Sequence, residues 1–286
     1  MATHYRHVAI DDVDVFYREA GADDAPPVLL LHGFPSSSHM YRNLIPALAQ
    51  RYHVVAPDLP GSGLTEAPAR GTFPYRFETI TQVVDRFVEK LRLGPFVLVV
   101  FDSGAPVGFR LAMRHPERVT AIISQNGNAY EEGLSESWNP IRTYWDDPSE
   151  TNRVGLRGLL QLGTTKWRYT HGAHDVTLIA PETYLFDQTR LDWPGNDEIQ
   201  LDLFLDYASN IELYPAFQEY FRKHQPKLLV VWSKNDPFLL PLGAEAFRRD
   251  LPNTEIHFVD AGHFALETRG GEIAELIVSF LGRVCG

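Results

Sequence analysis

Residues 96 to 111 read Phe-Val-Leu-Val-Val-Phe-Asp-Ser-Gly-Ala-Pro-Val-Gly-Phe-Arg-Leu, and this stretch decides the fold. The apolar, β-branched run Phe96 to Phe101 stops at Asp102 and Ser103. The period then changes: Val107, Leu111, Met113 and the alanines suit a buried helix better than a second strand. A strand that turns at once into a helix across small residues presents the residue at its tip as a nucleophile. That tip is strained, so the residue two places on must be small. Gly104 meets this need for Asp102, whereas a tip at Ser103 would be flanked by Phe101 and Ala105, a poorer fit. Asp102 is the expected nucleophile; the competing role is a carboxylate that merely caps the helix.

On either side of this hinge the chain repeats the pattern. Val28 to Leu31, His53 to Pro57, Val119 to Ser124, Lys227 to Trp232 and Glu255 to Val259 are short apolar runs that read as strands. Residues 7–19 suggest two further short strands around Asp11-Asp12. Between them, Tyr41, Leu44, Ile45 and Leu48 mark one helix, and 243–251 and 271–284 mark two more. From Phe77, the positions Ile80, Val83, Val84, Phe87, Val88 and Leu91 give a helix with one buried face. Continuous apolar strands alternating with helices predict an α/β protein with a mostly parallel sheet covered on both faces.

The alternation breaks near Asn128 and resumes at Lys227. The intervening residues carry four of the five tryptophans (138, 145, 167 and 193) and no parallel-strand signal. The predicted organisation is a core of 1–127 and 227–286 with a helical cap, or lid, of 128–226.

Composition excludes several classes. The chain has 286 residues and a formal net charge of −11 without a basic cluster, which argues against nucleic acid and anionic membrane surfaces. No run approaches the ~18 apolar residues of a membrane span, and residues 1–20 have no apolar core of signal-peptide type. One cysteine, Cys285, precludes an internal disulfide and suits a reducing cytoplasm. There is no internal repeat or Gly-rich phosphate loop, and the pairs His4/His7 and His171/His174 sit in polar segments, so no metal and no cofactor are expected.

Three polar residues follow three of the apolar strands: Asp102, Asp236 in Ser233-Lys234-Asn235-Asp236-Pro237, and His263 in Gly262-His263-Phe264. Alone, Asp236 could be a turn residue and His263 a loop histidine. Functional groups of open α/β sheets gather at the carboxyl ends of strands, which favours reading all three together.

With His32-Gly33-Phe34-Pro35 and Asp58-Leu59-Pro60-Gly61-Ser62-Gly63, this set resembles the α/β-hydrolase superfamily. The aspartate in the nucleophile position resembles the branch of epoxide hydrolases and haloalkane or haloacid dehalogenases. A carboxylate displaces a leaving group from saturated carbon and becomes an alkyl ester. The resemblance implies that His263, oriented by Asp236, activates the water that cleaves this ester. It places the oxyanion donors at the backbone N–H groups of Phe34 and Ser103.

Haloalkane dehalogenases usually carry Trp where Ser103 stands, and many carry Asn where Phe34 stands. The Arg that follows the nucleophile in fluoroacetate-type enzymes is absent too, whereas Phe34 in an HGFP loop is similar to epoxide hydrolases. Those enzymes protonate the epoxide oxygen with lid tyrosines. Asp206-Tyr207-Ala208-Ser209-Asn210 resembles the segment bearing one of them, which makes Tyr207 the candidate; at the second expected place stands Ile141. His32, Tyr144 and Trp145 are expected to line the substrate pocket, and Trp145, Trp167 and Trp193 read as lid core rather than halide ligands. The resemblance thus implies hydrolysis of a small apolar epoxide to a vicinal diol by a monomer or homodimer. The alternatives are a dehalogenase using the same residues, an esterase acting through Ser103, and a ligand-binding member of the fold without turnover.

Overall fold

The computed structural model describes residues 1–285. Eight strands make one sheet: β1 (His4–Ile10), β2 (Val13–Ala20), β3 (Pro27–Leu31), β4 (His53–Pro57), β5 (Phe96–Phe101), β6 (Val119–Gln125), β7 (Lys227–Ser233) and β8 (Glu255–Val259). Their order is β1-β2-β4-β3-β5-β6-β7-β8. β1 pairs antiparallel with β2, and β2 with β4; every later neighbour pair is parallel. In the centre, Leu98 of β5 stands opposite Leu29 of β3 and Ile122 of β6.

These strands are apolar throughout because both faces are buried. Leu98 and Val100 of β5 join one core, and Val97, Val99 and Phe101 join the other. The first core is closed by α2 (Phe77–Lys90) and α3 (Gly104–Arg114), the second by α1 (Leu44–Leu48) and α12 (Ala265–Val284). Phe87 of α2 is fully buried and meets Tyr17 of β2 edge-on at 5.2 Å, so its truncation to alanine should cost about 3–5 kcal/mol.

The α/β class expected from the sequence is the one observed, while several boundaries move. The first strand starts at His4. The helix around Tyr41 divides into a 3-10 turn (Ser38–Tyr41) and α1, and the one at 243–251 into α11 (Pro241–Ala246) and a 3-10 turn, Phe247–Arg249. α12 begins at Ala265 and kinks at Arg269 (φ −127°, ψ 21°), just before Gly270-Gly271. The glycines weaken the helical pattern there, but buried Phe264, Ala265 and Leu266 anchor the additional turn to the core.

Between β6 and β7 the chain forms α4 (Asn139–Asp146), α5 (Glu150–Gly155), α6 (Leu162–Thr170), α7 (Pro181–Leu191), α8 (Asn196–Asp206), α9 (Ala208–Glu212) and α10 (Tyr214–His224), joined by turns. This segment rests on the loops at the carboxyl ends of the strands. Phe204 meets Phe34 edge-on at 5.0 Å, Tyr169 stacks on Phe264 at 3.8 Å, and Gln200 donates to the Gly61 carbonyl at 2.8 Å.

Candidate active site

β5 ends at Phe101, and the next residue, Asp102, is a non-glycine residue with φ 45°. Left-handed backbone is costly for most L-residues, and aspartate is among the few that tolerate it. The turn is enforced by close packing: a Cβ on Gly104 would lie 2.4 Å from the carbonyl oxygens of Leu31 and His32. On the other side, a Cβ on Gly33 would lie 2.5 Å from Asp102 Cβ and from Oδ1. The glycines thus allow β3 and α3 to close around the carboxylate. Ser103, next to the tip, makes no side-chain cap bond to the helix.

Asp102 is nearly buried, and its Oδ1 accepts the Phe34 N–H at 2.9 Å. Its Oδ2 lies 3.8 Å from His263 Nε2, too far for a hydrogen bond. His263 Nδ1 lies 2.7 Å from Asp236 Oδ2. Asp236 is in turn held by three donors: the N–H groups of Phe238 (2.8 Å) and Leu239 (3.1 Å) on Oδ1, and the Asn126 amide (2.5 Å) on Oδ2. So fixed, its carboxylate turns Nδ1–H toward itself and leaves Nε2 facing Asp102. Burial lowers the His263 pKa, but the charge and hydrogen bond of Asp236, with help from Asp102, outweigh it and the net shift is upward.

The other motif residues brace this centre. Burial keeps His32 neutral, lowering its pKa. Its Nδ1 bonds the Gly33 carbonyl at 3.1 Å and its Nε2 accepts from Leu59 N–H at 2.9 Å, which ties the loop after β3 to the loop after β4. Asp58 secures that second loop by accepting from the N–H groups of Ser38 (2.7 Å) and Leu64 (2.8 Å).

A cavity opens above Asp102, bordered below by His32, Phe34, Ser103 and His263, and above by the helical segment, including Trp138, Ile141, Arg168 and Tyr207. Its walls are mostly apolar. Tyr207 is buried between Phe77, Trp138 and Trp145; burial first, then the neighbouring Tyr214 and Asp102, push its pKa well up. Ile141 lies in the lining, at the place where a second phenol was sought.

Two residues expected in the lining are not there. Tyr144 projects from α4 away from the cavity and its hydroxyl accepts from Arg153 at 2.9 Å. Trp145 stacks behind Tyr207 and gives its indole N–H to the Phe204 carbonyl at 2.7 Å. The wall is built instead by Trp138 and Ile141, earlier along the same chain segment. Trp138 gives its N–H to the Phe238 carbonyl at 3.1 Å, and Trp167 and Trp193 sit exposed outside the cavity. Among the described residues, no indole N–H is free toward the cavity.

Asn126 and Arg168 did not stand out in the sequence. Asn126 closes β6 with φ 47°, in an Asn-Gly-Asn turn that could have signalled a special backbone position at a strand's carboxyl end. Arg168 reads as one more helical surface charge, and nothing local marks it as buried.

An aspartate on a strand-to-helix elbow, a histidine and its carboxylate partner at neighbouring strand ends, and a roofed apolar cavity define the class of hydrolases built on this sheet. The chain belongs to the alpha/beta hydrolase fold family, whose model matches residues 26–270. It is 43% identical over 274 residues to an uncharacterised hydrolase of Saccharomyces cerevisiae, covering 94% of this chain and 93% of that one. It is 28% identical over 304 residues to a haloalkane dehalogenase of Psychrobacter cryohalolentis, covering 97% and 91%. Among solved structures it resembles a candidate epoxide hydrolase from Pseudomonas aeruginosa, with a TM-score of 0.81, 21% identity and coverage of 98% and 96%. The protein is a hydrolase of this superfamily.

Proposed function

We propose that the protein opens a small epoxide to a vicinal diol through an alkyl ester on Asp102, with the helical segment 128–226 as the lid. The observation that carries this reading is a carboxylate and a buried phenol, Asp102 and Tyr207, facing one apolar cavity in which, among the described residues, no indole N–H is free to hold a halide.

In the proposed reaction Asp102 Oδ2 attacks a ring carbon and the carbon–oxygen bond of the ring breaks. The departing oxygen takes the phenol proton of Tyr207, which burial has kept in place. His263 Nε2 then takes a proton from water, whose oxygen adds to the carboxyl carbon. Charge collects on Oδ1, where the Phe34 N–H already points, with the Ser103 N–H as second donor. Collapse breaks the bond from the carboxyl carbon to Oδ2, and the proton on His263 passes to the released alcohol oxygen. The acid left on Asp102 ionises, and its proton restores Tyr207.

Matched epoxide and bromoalkane substrates test the assignment, with diol and halide both measured. Diol formation is expected; halide alone would establish dehalogenation by the same aspartate, the reading that the dehalogenase relative favours. In single turnover in ¹⁸O-water the label should enter Asp102 and not the diol. If Ser103→Ala abolished activity and Asp102→Asn kept it, the reaction would be acyl transfer.

A further inference from the structure

Arg168 of α6 is 4% exposed, yet it has no carboxylate partner among the described residues. Its one hydrogen bond runs from Nη1 to the Leu159 carbonyl at 2.7 Å. The guanidinium lies over the ring of Phe34 at 4.8 Å and within 5.7 Å of the ring of Phe238, and it borders the cavity with Asp102 and His263. Other buried arginines are settled differently. Arg153 is paired with Glu198 and Asp202, and Arg110, whose Nε and Nη1 lack partners, lies away from this cavity.

Burial lowers the Arg168 pKa to about 10, against the pull of Asp102, so the group is a full cation at neutral pH. Burying an unpaired cation is unfavourable unless something offsets it. The Phe34 face supplies part of that, and Asp102 supplies long-range attraction. Alkylation moves the latter: once Asp102 is an ester, the negative charge sits on the Tyr207 phenolate and no longer at Asp102.

We propose that Arg168 forms a carboxylate-binding subsite, so that the substrate opened at Asp102 carries a carboxylate close to its reacting carbon. The inference rests on the cavity being the substrate site and narrows the substrate from a neutral epoxide to an anionic one. Planar guanidinium offers parallel N–H groups that match a carboxylate edge to edge, and the aromatic floor of Phe34 fixes its plane. The remaining walls, Ile141, Leu203 and Phe204 among them, suit a short hydrocarbon body. The carboxylate stays beside the guanidinium while the charge on Asp102 is taken up in the ester.

Binding of an unreactive pair separates this from the reaction assignment. Butyrate and butyramide match in size and differ in charge, and calorimetry needs no turnover. Wild-type protein should bind butyrate at least about tenfold more tightly, a difference of about 1.4 kcal/mol. Arg168→Gln should abolish the preference, and Arg168→Lys, which keeps charge without the planar fork, should retain only part of it. Equal binding of the two by the wild type would overturn the subsite whether or not epoxides are opened, and would do so even if Arg168→Gln did not fold.

A kinetic comparison of oxirane-2-carboxylate with its amide gives the second readout. The ratio of kcat/KM values should favour the acid in the wild type and fall about tenfold or more in Arg168→Gln. An equal loss on both substrates would instead assign Arg168 to the leaving oxygen and overturn the proposal. Failure to open any epoxide while butyrate is still preferred would count against the reaction and leave the subsite standing.

Discussion

His263 Nε2 stands 3.8 Å from Asp102 Oδ2, beside the carboxylate without bonding it. A serine nucleophile needs a bonded base to remove its proton; an ionised aspartate does not. In the proposed reaction the imidazole is therefore free for the second half, where it would act on water next to the ester. His263→Gln should leave alkylation working and slow ester hydrolysis by about 10²–10⁴-fold, the usual contribution of a positioned base. Mass spectrometry of the peptide bearing Asp102 should then show a stable adduct of substrate mass. Absence of that adduct, with the variant folded and substrate in excess, would remove the covalent route.

The pH profile carries a sign that the geometry sets. His263 must be neutral to act as base, and its pKa lies above the ordinary value of about 6.5 because Asp236 and Asp102 outweigh burial. Activity should consequently fall as the pH drops through that raised pKa, not through the ordinary one. In the ester intermediate the charge has moved from Asp102, 3.8 Å from the imidazole, to the Tyr207 phenolate, so the raising influence of Asp102 is gone. The acid limb of kcat, which reports the intermediate when hydrolysis limits, should lie at lower pH than the His263 titration of the resting protein followed by NMR. Asp236→Asn should lower that resting titration further, since Asp236 is the largest raising influence.

Tyr207→Phe separates the two chemistries that share Asp102. An epoxide needs its developing alkoxide protonated, whereas a bromide leaves as a stable anion. The variant should lose about 10²-fold or more in epoxide opening, and the loss on a bromoalkane of similar size should be clearly smaller. Equal losses on both would mean that the phenol shapes the cavity rather than donating a proton. Ile141 lines the same cavity, so a tyrosine there is the complementary change. Ile141→Tyr should raise the epoxide rate if the added hydroxyl reaches the leaving oxygen, a gain that single-turnover kinetics would show.

Local chemistry explains which parts could be read in advance. The sheet was legible because each parallel strand, buried on both faces, is a continuous apolar run such as Phe96–Phe101, and the residues closing three of these runs were the polar ones. Gly104 identified the tip because the constraint is steric and acts over two residues. The cavity wall was harder to read. Trp138, Ile141, Tyr144 and Trp145 are all apolar or aromatic in one short segment, and which of them meets the cavity depends on how α4 packs against α8. Arg168 was invisible for another reason: an arginine between tryptophan and tyrosine has the composition of a solvated helix face, and only the tertiary packing over Phe34 and Phe238 reveals it. Asn126 lies between these cases, since its turn was readable while its bond to Asp236 was not.

The elbow makes a last, purely steric prediction. A methyl group at Gly104 would lie 2.4 Å from the carbonyl oxygens of Leu31 and His32 and 2.8 Å from the Leu31 carbonyl carbon. These are backbone atoms of β3 and of the loop that follows it, so no side-chain rotation relieves the contact. Either β3 and α3 separate, or the turn at Asp102 relaxes; both move the Phe34 N–H away from Oδ1. Gly104→Ala should cost about 1–3 kcal/mol in denaturant unfolding, as overpacking commonly does. It should also reduce ester formation per folded molecule, measured by the burst of bound substrate on Asp102. Gly94→Ala, where an added Cβ meets nothing within 4 Å, is the matched control and should change neither quantity. If Gly104→Ala unfolded like the control and gave a full burst, the close approach of β3 to α3 would not be what holds Asp102 in its left-handed turn.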